Sequence, residues 1–135
     1  MTYSVAIRTL GKNPDVLKRE LESVLQQSLQ PDKVVIYIAE GFERPSFQVR
    51  EEEYVWVKKG MVAQRALEYR EIDSDVILML DDDVELAPNS AERMLRVMDE
   101  HGMDCVAADT FKNQEMTTKQ KMMAWVTNWV YPRRD

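Results

Sequence analysis

Residues 34–39, Val-Val-Ile-Tyr-Ile-Ala, run without interruption between Lys33 and Glu40. The stretch is β-branched, too short for a helix and does not alternate with polar residues. It therefore reads as a strand buried on both faces. Such a strand belongs to a sheet covered by helices on either side, and this limits the choice of folds more than any other feature of the chain.

The rest of the sequence supplies partners for it. Residues 3–8 form a short β-type run, 54–57 a second, and 75–80 the strongest strand signal. Between them, residues 12–30 read as a helix with Asn13 as N-cap and Pro14 at the first helical position. Leu17, Leu21, Val24, Leu25 and Leu29 give it one buried face, and Pro31 and Asp32 stop it. Residues 40–53 are charged and broken by Gly41 and Pro45, as a surface loop would be. Residues 61–72 read as helical, with Val62, Ala66 and Tyr69 on one side.

Pro88 and Asn89 open a further helix, with Asn89 and Glu92 spaced as a capping box. Met94, Leu95 and Met98 face its core side, His101 serves as a C-terminal cation, and Gly102 closes it. Residues 104–109 read as a further strand with Cys105 as inert core, and residues 114–131 as a final helix. Alternating strands and helices predict an α/β fold, a Rossmann-like three-layer sandwich on a mostly parallel sheet.

At 135 residues the chain is expected to be a single domain, 1–135. A net charge of −6 excludes a nonspecific nucleic-acid binder, whose footprint is basic. Cys105 is the one cysteine, so an internal disulfide is excluded and a reducing, cytoplasmic setting is expected. The start carries no signal-peptide pattern, and no apolar run approaches the ~18 residues of a membrane helix. Residues 112–134 hold five basic residues against one Glu, which suits an anionic partner.

The strand at 75–80 ends in Asp81, Asp82 and Asp83. Two like charges ~4 Å apart repel by roughly 1 kcal/mol in water and about 4 at an effective dielectric near 20, so three at a strand end need a reason. In open α/β sheets ligands bind beyond the carboxyl ends of the strands, where these three lie. A calcium loop would use Asp81, Asp83, Glu85, Asn89 and Glu92, but Leu86 stands where the loop's sharp turn needs Gly, and a strand precedes the run. A receiver-like phosphoacceptor domain is the alternative reading. It lacks the acidic pair after its first strand, where "AIRTLGKN" offers none.

A metal–diphosphate site fits better. Extended geometry puts Asp81 and Asp83 on one face about 7 Å apart and Asp82 on the other. One carboxylate would ligate a hard divalent ion, Mg²⁺ or Mn²⁺, and the other would reach a neighbouring hydroxyl.

"SVAIRTL", "VVIYIAEG", "KGMVAQRA" and "ILMLDDDVELAP", in that order, resemble the nucleotide-sugar-binding half of a family 2 glycosyltransferase of GT-A fold. The resemblance implies that Asp83 binds the metal bridging the donor's diphosphate. It implies that Asp81 meets the ribose or shares that metal, with Asp82 the variable middle of the DxD motif. Lys59, Gly60 and Arg65 match a segment whose Arg lies near the nucleotide, and Thr9 matches a residue touching the base or ribose.

Two departures stand out. Leu10 replaces a common aromatic, and Ala39-Glu40-Gly41 replaces an Asp pair followed by Gly, leaving Glu40 for the base contact or the base open.

The same resemblance implies inverting, hexosyltransferase-type transfer in polysaccharide biosynthesis, with Mn²⁺ or Mg²⁺ as cofactor. The donor it favours is a UDP-sugar, and the acceptor a saccharide or a lipid-linked group. Family members are longer, so the catalytic base is expected beyond Asp135 and the chain is read as the donor-binding portion of a longer enzyme. Met122, Trp125, Val126, Trp129 and Val130 form an apolar face that is expected to pack on the sheet. The alternatives for this face are a dimer contact and, with Lys119, Lys121, Arg133 and Arg134, a peripheral contact at the inner face of the membrane.

Overall fold

β1 (Tyr3–Thr9), β2 (Val34–Ala39), β3 (Glu53–Val57) and β4 (Val76–Asp81) pair in the order β3-β2-β1-β4, and every pairing is parallel. The computed structural model describes residues 1–108. Three helices lie between and after the strands: α1 (Pro14–Leu25), α2 (Met61–Arg65) and α3 (Ser90–His101). All seven elements belong to one unit, Met1–Cys105.

The alternation of side chains along β1 divides the core in two. Val5 and Ile7 pack with Ile36 and Leu80 against Leu17, Leu21 and Val24 of α1 and Ala91 and Leu95 of α3. On the opposite face Ala6, Val35 and Tyr37 meet Leu67, Tyr69, Ile72 and Ile77. All six residues of β2 are buried, because the strand is interior and covered on both sides. Burying each Val or Ile fully contributes about 1.5–3 kcal/mol. β2 reaches β3 without a helix. The intervening loop lays Phe47 and Val49 on the α1 face, and this is how a parallel pair is closed here.

Pro14 opens α1 as its spacing predicts, although the Asn13 side chain makes no capping hydrogen bond. The helix ends at Leu25, so Leu25 and Leu29 are exposed and not part of the buried face. Glu20 is buried in their stead. The Asn89–Glu92 capping box does not form: Asn89 makes no cap bond, and Glu92 binds the Ser28 hydroxyl and Arg96. Gly102 ends α3 in the left-handed region at φ +58, a conformation that suits glycine.

Helix α2 covers five residues and not the expected twelve. Val62 and Ala66 are exposed, and Tyr69 turns the chain at φ +51. From this irregular segment Tyr69 packs edge-on against Tyr37, with ring centroids 5.5 Å apart. Residues 104–108 carry no strand, and Cys105 is exposed and not core. An Ala-rich stretch has little β-preference of its own, and no described strand pairs with it. The helix expected at 114–131 lies outside the described residues. Among the described residues no helix is long and apolar enough to cross a membrane.

Candidate functional site

A cavity of about 350 Å³ opens at the carboxyl ends of β1 and β4, beside α2. Its walls are Arg8, Thr9 and Leu10, then Met61, Gln64 and Arg65, then the three aspartates. The β1–β4 register sets their relations. Arg8 lies opposite Asp81 in the ladder, so both side chains leave the same face of the sheet. The guanidinium Nη2 of Arg8 donates to Asp81 Oδ1 at 3.1 Å. Thr9 faces the other way, and its hydroxyl donates to Asp82 Oδ2 at 2.9 Å.

Thr9 is held from two more directions. Its Oγ1 accepts the Gly11 N–H at 2.9 Å, and its carbonyl accepts the buried Gln64 side-chain amide at 2.9 Å. Gly11 turns the chain at φ +76, and a Cβ there would stand 3.0 Å from Phe42 Cβ. Glycine therefore lets the loop after β1 pass close to Phe42 and Ile38.

The exit from the acidic turn is fixed just as firmly. The buried Gln27 side-chain amide donates to the Ala87 carbonyl at 2.8 Å, while its Oε1 accepts the Ala91 N–H at 3.1 Å. The Ser23 hydroxyl accepts the Leu86 N–H at 3.1 Å, and the Ser28 N–H donates to the Pro88 carbonyl at 2.7 Å. The end of α1 thus anchors residues 86–91.

The three aspartates are unlike one another. Asp81 is paired with Arg8 and Asp82 with Thr9, while Asp83 is exposed and has no hydrogen-bond or ion-pair partner among the described residues. Alternation along an extended chain predicts Asp82 pointing away from the other two. β4 ends at Asp81, however, and the chain turns there, so all three line the cavity.

Behind the turn lies Glu20, fully buried, with neither carboxyl oxygen hydrogen-bonded among the described residues. Burial, and then the charges of Asp82, Asp83 and Asp81, push its carboxyl up to about 9. The Val84 backbone opposes this from outside hydrogen-bonding geometry and does not offset it. Glu20 is accordingly neutral at pH 7, and the site does not carry a fourth negative charge.

Among the described residues no three His, Cys, Asp or Glu side chains are arranged to hold a metal ion. The described residues therefore build no cage. Asp83 offers one unpartnered carboxylate, a hard oxygen donor group, which fits a divalent ion that keeps water and takes phosphate oxygens for the rest of its shell.

Of the residues predicted for the site, the cavity brings together Thr9, Arg65, Asp81, Asp82 and Asp83. Glu40, Lys59 and Gly60 do not line it. Glu40 is exposed beyond β2, where its N–H bonds the Val57 carbonyl. Lys59 places its ammonium 5.4 Å from the Phe42 ring centroid. Gly60, at φ +134, leads the chain into α2.

Sequence reasoning missed Arg8, Leu10, Met61 and Gln64 as cavity residues. Arg8 carried a usable signal, being the one charge inside an otherwise uncharged strand. Gln64 carried none.

The profile of Glycosyl transferase family 2 matches residues 4–134, nearly the whole chain. The chain belongs to glycosyltransferase family 2. This membership sets the phosphoacceptor reading aside. S. aureus TarS is similar in structure to this family 2 chain, with a TM-score of 0.57 at 12% identity. The match covers 85% of this chain and 24% of TarS, so the chain spans about a quarter of that protein's length. No curated protein sequence matches this chain. The all-parallel sheet with flanking helices is the Rossmann-like architecture of the GT-A fold.

Proposed function

We propose that the cavity is the donor site of a metal-dependent, inverting hexosyltransferase, taking a nucleotide-diphospho-sugar with a UDP-sugar favoured. The observation that carries this reading is the sorting of the acidic turn: Asp81 and Asp82 are engaged by β1, and Asp83 alone stands free among the described residues. Asp83 would hold Mn²⁺ or Mg²⁺. When bound, the ion supplies Lewis-acid neutralisation of the charge that develops on the departing diphosphate.

The chain's own residues bind and orient. Arg65, exposed at the end of α2, would meet an anionic part of the nucleotide. Thr9, fixed by Asp82, Gly11 and Gln64, presents a rigid edge to the base or ribose. Leu10 and Met61 supply apolar wall. The acceptor, saccharide or lipid-linked, and the base that activates it are assigned to no described residue.

Calorimetric titration of UDP into the chain, with and without Mn²⁺, tests the reading. Binding that strengthens with Mn²⁺ and loses that gain in Asp83→Asn is the expected result. Equal affinity with and without the ion, or a gain untouched by Asp83→Asn, would overturn it.

A further inference from the structure

Arg8 is a basic residue near the end of β1, a strand with a neighbour on each side. Its side chain is 21% exposed, and it lies on the face shared with Ala6 and Tyr37. Nη2 reaches Asp81, but Nε is buried without any hydrogen-bond partner among the described residues, in a residue that walls the cavity. Buried N–H groups are nearly always satisfied, by protein or by something bound, and an orphan on a charged group asks for an acceptor. A guanidinium carries five N–H donors in a planar fork that matches phosphate oxygens, and among the described residues only Nη2 is hydrogen-bonded here.

The cavity's charge balance points the same way. Three carboxylates face two guanidiniums, so an entering diphosphate needs every cation the wall can offer.

This inference rests on the reading of the cavity as a nucleotide-diphosphate site. We infer that Arg8 is a second, resident cation for the donor: it holds Asp81 with Nη2 and offers its other N–H groups to diphosphate oxygens, so that part of diphosphate binding needs no divalent ion. Asp81 then serves as the counter-ion that aims Arg8, and Asp83 takes the metal alone.

Inorganic pyrophosphate is the probe, because it carries no base or sugar. It is titrated calorimetrically into the chain in EDTA and again in Mn²⁺. The wild type binds in EDTA, more weakly than in Mn²⁺. Arg8→Gln loses the EDTA affinity by roughly tenfold or more and the Mn²⁺-supported affinity by only a few-fold. Arg8→Lys keeps the charge without the fork and falls between the two in EDTA.

No binding by the wild type in EDTA, or an Arg8→Gln affinity equal to wild type there, overturns the inference. Thermal melts establish that Arg8→Gln is folded. If it is not, Arg8→Lys carries the comparison, and an EDTA affinity unchanged in that variant overturns the inference equally. Failure of the donor-site reading shows separately, as absent UDP binding in Mn²⁺, while the pyrophosphate result in EDTA still decides the role of Arg8.

Discussion

Thr9 Oγ1 stands 2.9 Å from Asp82 Oδ2, and this bond ties the end of β1 to the turn that follows β4. The same oxygen accepts the Gly11 N–H. Thr9→Val keeps the shape but leaves both partners without it, and is expected to cost about 1–2 kcal/mol. Urea denaturation measures the loss. Thr9→Ser, which keeps the hydroxyl, should recover most of it.

The sorting of the aspartates predicts a graded mutant series. Asp83→Asn should remove the Mn²⁺-dependent gain in nucleotide affinity. Asp82→Asn retains an oxygen that can accept from Thr9, and should keep most of the gain. Comparable losses in the two variants, read by the same titrations, would contradict the division of roles.

Glu20 predicts the pH dependence of stability. Its carboxyl titrates near 9 in the folded chain and near the ordinary 4.5 when unfolded. Between those values the folded state holds a proton that the unfolded state has released. Its contribution is therefore fully present below about 4.5 and declines as pH rises toward about 9, by at most about 1.4 kcal/mol per pH unit. Glu20→Gln cannot titrate, so its stability should lack this decline and exceed that of the wild type on the alkaline side. Denaturation midpoints across the pH range, with superimposable profiles for the two proteins, would refute the assignment.

Much of this fold was legible from apolar runs. Residues 34–39 could only be a doubly covered strand, and that is how β2 is placed. Asp81 was legible as a strand end because the apolar signal stops there. Polar residues inside the core were not legible. Glu20 recurs at helical spacing with Leu17 and Val24, but a carboxylate is ordinarily read as solvent-facing. Gln27 and Gln64 are buried to satisfy backbone groups brought near them by distant segments, at separations of 55 to 64 residues. Lys59 and Glu40 lie outside the cavity for a related reason: a motif fixes a side chain's chemistry, while the loop around it decides where it points.

Gln27 offers a test of how the turn is supported. Gln27→Leu would orphan the Ala91 N–H and leave the Ala87 carbonyl with the Ser90 N–H alone, at an expected cost of about 1–3 kcal/mol. Because residues 86–91 lose one of their anchors, with those from Ser23 and Ser28 remaining, nucleotide affinity in Mn²⁺ should fall as well, although Gln27 does not line the cavity. Urea denaturation and calorimetry on the same preparation check both halves. Lost stability with unchanged affinity would show that the turn holds its own shape.

Adjacent positions on β1 reach two different aspartates from opposite faces of the sheet, and the ladder between β1 and β4 decides which reaches which. A slip of one residue would turn every β1 side chain to the wrong face and deal the aspartates different partners. The distinction between a committed and an available carboxylate is thus information stored in strand pairing, and no local segment possesses it alone. A chain emerging from denaturant should accordingly acquire its preference for one metal position only when the two strands, more than seventy residues apart in sequence, have found their register. Stopped-flow detection of Mn²⁺ binding during refolding would then follow the rate of sheet closure and not that of helix formation.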